Sequence, residues 1–291
     1  MLNKKLLLCL MLSFLVGACN ASNQSNNINM TFEQVEKLRA EAENSHLDSD
    51  EKKKYYKDIK PIYEKLANEG NSDAQFILSD IYIRALDGDY DSKKSFEWAK
   101  KSADNGNVSA MYNTGTNYYV GRGVGKNIEK AKDYYLKAAK LNHVDAMGSI
   151  GEIYIEEGNI VDAIKYLEFA ASKNDARSLF LLGLTYCDGK AVTQDYTKCS
   201  SYWEKAANLG NPEANLNFAI NLESGIGVKQ DIEKSIKYFK KSSDMGDAQA
   251  SYNLGMIYSM KKYNRLDEER SQKYFKKAYE QGLEIALSKI K

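Results

Sequence analysis

Small and apolar residues return along most of this chain at one long interval. Within each interval they follow the three-to-four spacing of amphipathic helices. Small residues open one helix face at Ala74, Ala110, Ala146, Ser178, Ala214 and Ala250, at intervals of 36, 36, 32, 36 and 36. Four residues before each stands Gly70, Gly106, Asn142, Asn174, Gly210 or Gly246. Five after each lies Ser79, Gly115, Gly151, Gly183, Ala219 or Gly255, and eight after come Tyr82, Tyr118, Tyr154, Tyr186, Leu222 and Tyr258. A period of this length signals stacked supersecondary units, none of which can bury its apolar face alone.

Each column has a physical use. Gly or Asn at the junction can take the left-handed backbone that ends a helix. The next residue, Asn71, Asn107, Asp175, Asn211 or Asp247, can accept the free amide protons of the helix it starts; His143 departs from this pattern. The tiny residue five past the opener lets a neighbouring helix come close, and the aromatic eight past it fills the space beside that gap. A second helix follows in every unit, capped by Asp91, Asn127, Asn159, Asp195, Asp231 and Asp267. It carries aromatic pairs such as Tyr134-Tyr135, Tyr202-Trp203, Tyr238-Phe239 and Tyr274-Phe275, and it closes on small pairs such as Ala138-Ala139 and Ala206-Ala207. The third unit keeps its cap although its turn is four residues shorter.

The pattern A-x-x-x-L-G-x-x-Y-x-x-G-x-G-V, then D-x-x-K-A and K-A-A-x-x-G, is similar to the Sel-1-like repeat, a relative of the tetratricopeptide repeat. The fullest copies run from Ala110 to Asn142, with Gly121-Arg-Gly-Val124, and from Ala214 to Gly246, with Gly225-Ile-Gly-Val228. The resemblance covers roughly residues 55 to 290. It implies an all-α, right-handed α-solenoid of about six helix-turn-helix units, with half-repeats Lys52 to Asn68 and Leu283 to Lys291 capping the open ends. Pro61 is expected to kink or split the first cap.

The amino terminus has its own pattern. Lys4 and Lys5 precede an apolar run from Leu6 to Val16, too short for a permanent membrane span, which ends in Leu15-Val16-Gly17-Ala18-Cys19. This stretch resembles the bacterial lipobox, in which Cys19 becomes the lipid-bearing first residue of the mature chain. Asn20, in place of the Asp that often signals inner-membrane retention in such lipoproteins, implies an outer-membrane lipoprotein facing the periplasm. The expected division is therefore a signal peptide over 1–18, a polar tether over 19–30, an N-terminal helix and linker over 31–50, and the solenoid over 51–291. Thr31 with Gln34 reads as a capping box opening the N-terminal helix, whose few apolar residues leave its docking open.

Charge and motifs narrow the chemistry. Lys and Arg number 41 against 40 Asp and Glu, so no global field favours nucleic acid. Only His46 and His143 exist, far apart, which excludes a His-rich zinc set or a His-based triad. Gly121 to Lys126 resembles a phosphate-cradling loop, but its glycine spacing is one residue short, Asn127 stands where Ser or Thr is needed, and no strand precedes it. The expectation is no catalysis and no cofactor. Cys187 ends the first helix of unit four and Cys199 lies early in its second, so antiparallel packing would bring them close. A disulfide there would close a loop worth ~3 kcal/mol in the chain-entropy model; two buried thiols are the alternative.

By analogy with tetratricopeptide arrays, the first helices line the inner face. Inward positions include Tyr112, Tyr119, Phe180, Leu184, Leu216, Ile220, Tyr252 and Met256. These form either a partner-binding surface or packing between repeats. The resemblance implies a non-enzymatic scaffold or adaptor for a protein partner, such as a toxin effector or envelope enzyme, touching the membrane only through its lipid. It also admits two narrower functions. One is an immunity protein neutralising a secreted phospholipase-type toxin. The other is a β-lactam-binding or -hydrolysing relative of cysteine-rich repeat proteins, although this chain lacks their cysteine pair in every unit and the S-x-x-K, S-D-N and K-T-G set of the serine enzymes.

Overall fold

Identical punctuation gives helices of nearly identical length. The computed structural model describes residues 30–45, 47–190, 192–260 and 266–291; over these the chain forms fourteen α-helices and no strand. Helices α1 (Phe32–Glu43) and α2 (Ser49–Asn68) come first. Six hairpins follow: α3 (Ser72–Arg84) with α4 (Ser92–Asp104), α5 (Val108–Val120) with α6 (Ile128–Lys140), and α7 (Val144–Glu156) with α8 (Ile160–Ser172). Then come α9 (Ala176–Asp188) with α10 (Tyr196–Asn208), α11 (Pro212–Ser224) with α12 (Ile232–Asp244), and α13 (Ala248–Ser259) with α14 (Glu268–Glu280). A 3₁₀ turn, Glu284–Lys289, ends the described chain. The fold is an α-solenoid of helical hairpins, and within α7 it divides into two compact units, one up to Ala146 and one from Met147.

The caps work as their residue types demand. Asn71, Asn107, Asp175, Asn211 and Asp247 each accept the amide of the residue three ahead at 2.7–2.8 Å. At the departing position the Ala146 amide donates to Nδ1 of His143 at 3.3 Å, so an imidazole takes over the cap. Asn142 and Asn174 hold φ of 64° and 62°, the left-handed conformation that glycines supply at the other junctions.

The openers are all fully buried. Beside them the hairpins close by a ring-on-glycine contact. A Cβ on Gly115 would stand 2.7 Å from Tyr135, on Gly183 2.4 Å from Trp203, and on Gly255 2.7 Å from Phe275. The ring that occupies the gap thus comes from the second helix, not from the aromatic eight past the opener. That aromatic instead stacks on the first member of the pair: Tyr118 on Tyr134 at 5.9 Å, Tyr186 on Tyr202 and Tyr258 on Tyr274 at 5.8 Å. Each doublet therefore serves two contacts of the same hairpin.

Successive hairpins are joined through the long turns. A Cβ on Gly123 would fall 2.0 Å from the Ser92 carbonyl oxygen, and one on Gly227 1.9 Å from that of Tyr196. The turn of one hairpin lies directly on the start of the preceding second helix. The Ser200 hydroxyl donates to the Ile226 carbonyl at 2.8 Å and accepts from Asn221 at 2.7 Å, fixing that seat. Side chains thirty residues apart add further ties, such as Tyr134 to Asp104 at 3.1 Å and Tyr238 to Asn208 at 2.8 Å.

In the first unit α1 docks through Val35, Leu38 and Ala42, and polar pins supplement this short apolar stripe. The Tyr63 hydroxyl donates to Glu36, and that of Tyr56 donates to Glu43 at 3.0 Å. Burial would raise the Glu36 carboxyl, but hydrogen bonds from Arg39 and Tyr63 hold it below its ordinary value. Burial and the Glu43 hydrogen bond push Tyr56 up to about 12. Of the two outcomes expected of Pro61, a kink or a split, the split does not occur. The helix runs unbroken from Ser49 to Asn68, held on both sides of the proline by buried Ile59, Ile62 and Tyr63. Packing outweighs the one backbone donor that proline lacks. In the second unit, Trp203, Phe218, Leu222, Phe239, Leu254 and Tyr258 form one continuous core.

Candidate functional site

The inward positions of the first helices do not share one environment. Tyr112 is half-buried, 5.6 Å from Tyr135 and stacked 4.8 Å from His143, so it packs within the second hairpin and on the junction that follows it. Tyr119 is half-buried, with the Lys126 ammonium 5.7 Å from its ring centre. In the second unit Phe180 stacks on Trp203 at 6.4 Å, and its carbonyl accepts the indole N–H at 3.2 Å. Leu216 and Ile220 lie half-buried against the core, and Tyr252 sits 5.5 Å from Phe275. Met256 is half-buried. Leu184 differs: it is 39% exposed and lines a cleft.

That cleft has a volume of about 730 Å³ and is lined mainly by apolar groups, among them Ile155, Ile160, Leu181, Leu184 and Cys187. Asp188 and Lys190 stand at its edge, their charged atoms 3.0 Å apart. The cleft lies beside the short turn of the third hairpin. The third hairpin turns through 157–159 alone, whereas the fourth uses 189–195. In the fourth and fifth hairpins the longer turn folds back over the end of the first helix. There the Gln194 and Gln230 amides donate to the carbonyls of Cys187 and Glu223 at 2.7 and 2.6 Å. The third hairpin has no residues to do this. The deletion was legible from the repeat spacing; the cavity beside it was not. A more polar hollow of about 580 Å³ lies at the other ends of α8 and α10, among Glu168, Lys205 and Asn208.

Cys187 and Cys199 are joined by a disulfide across the fourth hairpin. The Cys199 column shows why one fits there. In the first, fifth and sixth hairpins the same position is Ser95, Ser235 or Ser271, whose hydroxyl donates to the carbonyl of Ser79, Ala219 or Gly255 at 2.9–3.0 Å. The site always faces the first helix; only the chemistry of the tie changes.

Two groups whose titration is clearly displaced belong to such a tie. Lys60 and Asp87 form a buried pair 2.6 Å apart. Burial would raise the Asp87 carboxyl, but the Lys60 ammonium and the Asp89 amide hold it below the carboxylate range. Burial would lower Lys60, and the Asp87 and Tyr82 contacts raise it instead. Among the described residues no three His, Cys, Asp or Glu side chains come together as metal ligands. Glycines 121 and 123 take left-handed backbone in the turn inside the second hairpin, the role their repetition in the fifth unit suggests. Among the same residues no helix is long and apolar enough to cross a membrane. Cys19, the expected leader and tether up to residue 29, His46, Ala191 and residues 261–265 lie outside the described residues.

Comparison with known proteins agrees with this geometry. The Sel1 repeat pattern matches residues 72–107, 108–143, 147–175, 176–211, 212–247 and 248–283, one match per hairpin. Protein SHC1 of Saccharomyces cerevisiae is 29% identical over 196 residues, which cover 62% of this chain and 38% of that protein. Chitin synthase regulatory factor 2 of Schizosaccharomyces pombe is 29% identical over 165 residues, covering 52% of this chain and 32% of that one. The chain therefore spans well under half the length of these relatives. Among solved structures, a protective antigen present in uropathogenic Escherichia coli strains is similar in fold, with a TM-score of 0.75 at 23% identity, over 89% of this chain and 58% of that one. A Sel1 repeat protein from Oxalobacter formigenes gives 0.67 at 24% identity, over 80% of this chain and 99% of its own. With six consecutive hairpins matched, the chain belongs to the Sel1 repeat family, whose members commonly act as protein–protein interaction adaptors.

Proposed function

We propose that this chain is a non-enzymatic adaptor, anchored through a lipid on Cys19 to the periplasmic side of the outer membrane, which holds a partner protein against its first helices. One observation carries the reading. The recurring residues are consumed by packing within and between hairpins, while the flank of α9 borders an apolar cleft that none of the described residues fills. A cleft with hydrophobic walls and a few charged groups at its edge suits recognition of another polypeptide better than proton or group transfer. The anchor is supported by the basic, apolar and small-residue order that ends at Cys19.

The test is chemical crosslinking in intact cells, followed by co-purification of the chain from the envelope. A discrete protein partner is expected, together with loss of the chain from the membrane fraction on Cys19→Ser. Capture of a membrane-active phospholipase as that partner would specify a role in toxin neutralisation. Turnover of a small molecule by the purified chain, with no crosslinked protein, would overturn the adaptor reading.

A further inference from the structure

The disulfide of the fourth hairpin is unequal at its two ends. Cys199 is completely buried and belongs to the core cluster of the second unit, with Trp203, Phe218 and Leu222. Cys187 packs against that cluster from outside, is half-buried, and lines the cleft beside α9. Closure of the hairpin does not by itself call for the bond. The other five hairpins carry no cysteine and close without one. Even in the fourth, Trp203 lies over Gly183, and its indole N–H donates to the Phe180 carbonyl. In the Cys199 column, Ser95, Ser235 and Ser271 each donate to the carbonyl sixteen residues back. Counted the same way, the carbonyl that matches Cys199 is that of Gly183.

We infer that Cys187 is a thiol-exchange site: a thiol entering the cleft forms a mixed disulfide with it and releases Cys199. Access decides which sulfur is attacked, because the incoming thiolate must reach the atom it binds. Cys199 offers no surface, and Cys187 does. The new bond joins the incoming sulfur to that of Cys187. The Cys187–Cys199 bond breaks, its electron pair leaves on the Cys199 sulfur, and Cys199 takes up the proton that the incoming thiol gave away. One disulfide replaces another, so no oxidant is consumed. The released Cys199 is held as a thiol, since apolar surroundings disfavour the thiolate. It then stands where the serines of other hairpins tie to a carbonyl, and the hairpin remains closed around it. The modified sulfur is left at the cleft. This assignment does not depend on the adaptor reading.

The probe is reduced glutathione, added in excess to the full-length chain with its bond intact, and free thiols are then blocked with N-ethylmaleimide. Trypsin cuts after Arg177, Lys190 and Lys198, which separates Cys187 from Cys199 and both from Cys9 and Cys19, so mass spectrometry assigns each adduct. Glutathione is expected on Cys187 and maleimide on Cys199, with about tenfold or more preference for that arrangement and an unchanged helical circular dichroism spectrum. The peptide Gly-Cys-Gly, run in parallel, separates a polypeptide cysteine from a small thiol as the source. An adduct of either on Cys187 supports the assignment. Single variants give a second readout. Cys187 in the folded Cys199→Ser chain should react with maleimide about tenfold or more faster than Cys199 in the folded Cys187→Ser chain, and urea should erase the difference. Glutathione found mainly on Cys199, no mixed disulfide before urea unfolds the chain, or equal rates in the two folded variants would overturn the assignment.

Discussion

Gly183 offers the sharpest test of how the hairpins close. Replacing it with Ala would place a methyl group 2.4 Å from both Cδ1 and Nε1 of Trp203, more than an ångström inside the ~3.5 Å of an ordinary carbon contact. The indole cannot swing freely away, because it stacks on Phe180 and its N–H is bonded to the Phe180 carbonyl. Overpacking of this kind costs about 1–3 kcal/mol. Displacing the ring would also forfeit a hydrogen bond worth ~1 kcal/mol. Ala gains ~1 kcal/mol over Gly in a helix interior, which offsets part of the loss. The net expectation is a destabilisation of about 2 kcal/mol. Urea unfolding followed by far-UV circular dichroism and tryptophan fluorescence measures it. In a Trp203→Ala background, where the contact resembles the native pairing of Ser79 with Ala99, the same Gly183→Ala change should instead stabilise by up to ~1 kcal/mol. Stabilisation by the same amount in both backgrounds would refute the ring-on-glycine closure.

Three further outcomes follow from the same geometry. Gly227→Ala forces a left-handed residue, at about 1–2 kcal/mol, and drives its Cβ into the Tyr196 carbonyl; it should lower the thermal midpoint markedly, whereas Gly125→Ala, with nothing near its Cβ, should leave it unchanged. Reducing the Cys187–Cys199 bond should cost up to ~3 kcal/mol, but the chain carrying Cys187→Ser and Cys199→Ser should lose only about 2, because a hydroxyl in the Cys199 column can make the carbonyl bond seen at Ser95, Ser235 and Ser271; melts with and without reductant measure both. Lys60→Met strips the partner from buried Asp87 and should cost about 3 kcal/mol. Since the Asp87 carboxyl is held below its unfolded value near ~3.9, its contribution is present above that pH and fades as acid takes the solution through the lower folded value. Lys60, raised above ~10.4, contributes below that pH and is lost as base passes its folded value; pH-dependent melts of the Lys60→Met chain should flatten at both extremes.

The columns that local chemistry controls were readable in the amino acids. A capping Asn or Asp, a left-handed Asn142 or Asn174 and a buried opener each depend on a few neighbouring residues, and each stands where the repeat spacing puts it. Contacts made at a distance were harder to read. The ring over Gly115, Gly183 and Gly255 comes from a residue twenty positions on, and its signal lay in the aromatic doublets, whose two members need two different seats. His143 reads as a break in the capping column until its imidazole is seen to accept the same proton. Helix α1 has too few apolar residues to announce its docking, because Tyr63 and Tyr56 pin it through carboxylates instead. Of the inward positions, Phe180 and Tyr252 serve packing against Trp203 and Phe275, and Leu184 alone pairs exposure with a hollow. Spacing could not separate these roles, since all occupy the same helix face.

Site-specific photocrosslinking separates the two helix layers most directly. A benzophenone side chain placed at Leu184 on the first helices, or at Lys237 or Lys240 on the second, is irradiated in living cells, and adducts are identified by mass. If stacking occupies the recurring residues and recognition is left to the first helices, Leu184 should yield one abundant protein adduct and the two lysine positions none. Adducts confined to Lys237 and Lys240, with Leu184 silent in a folded chain, would contradict it.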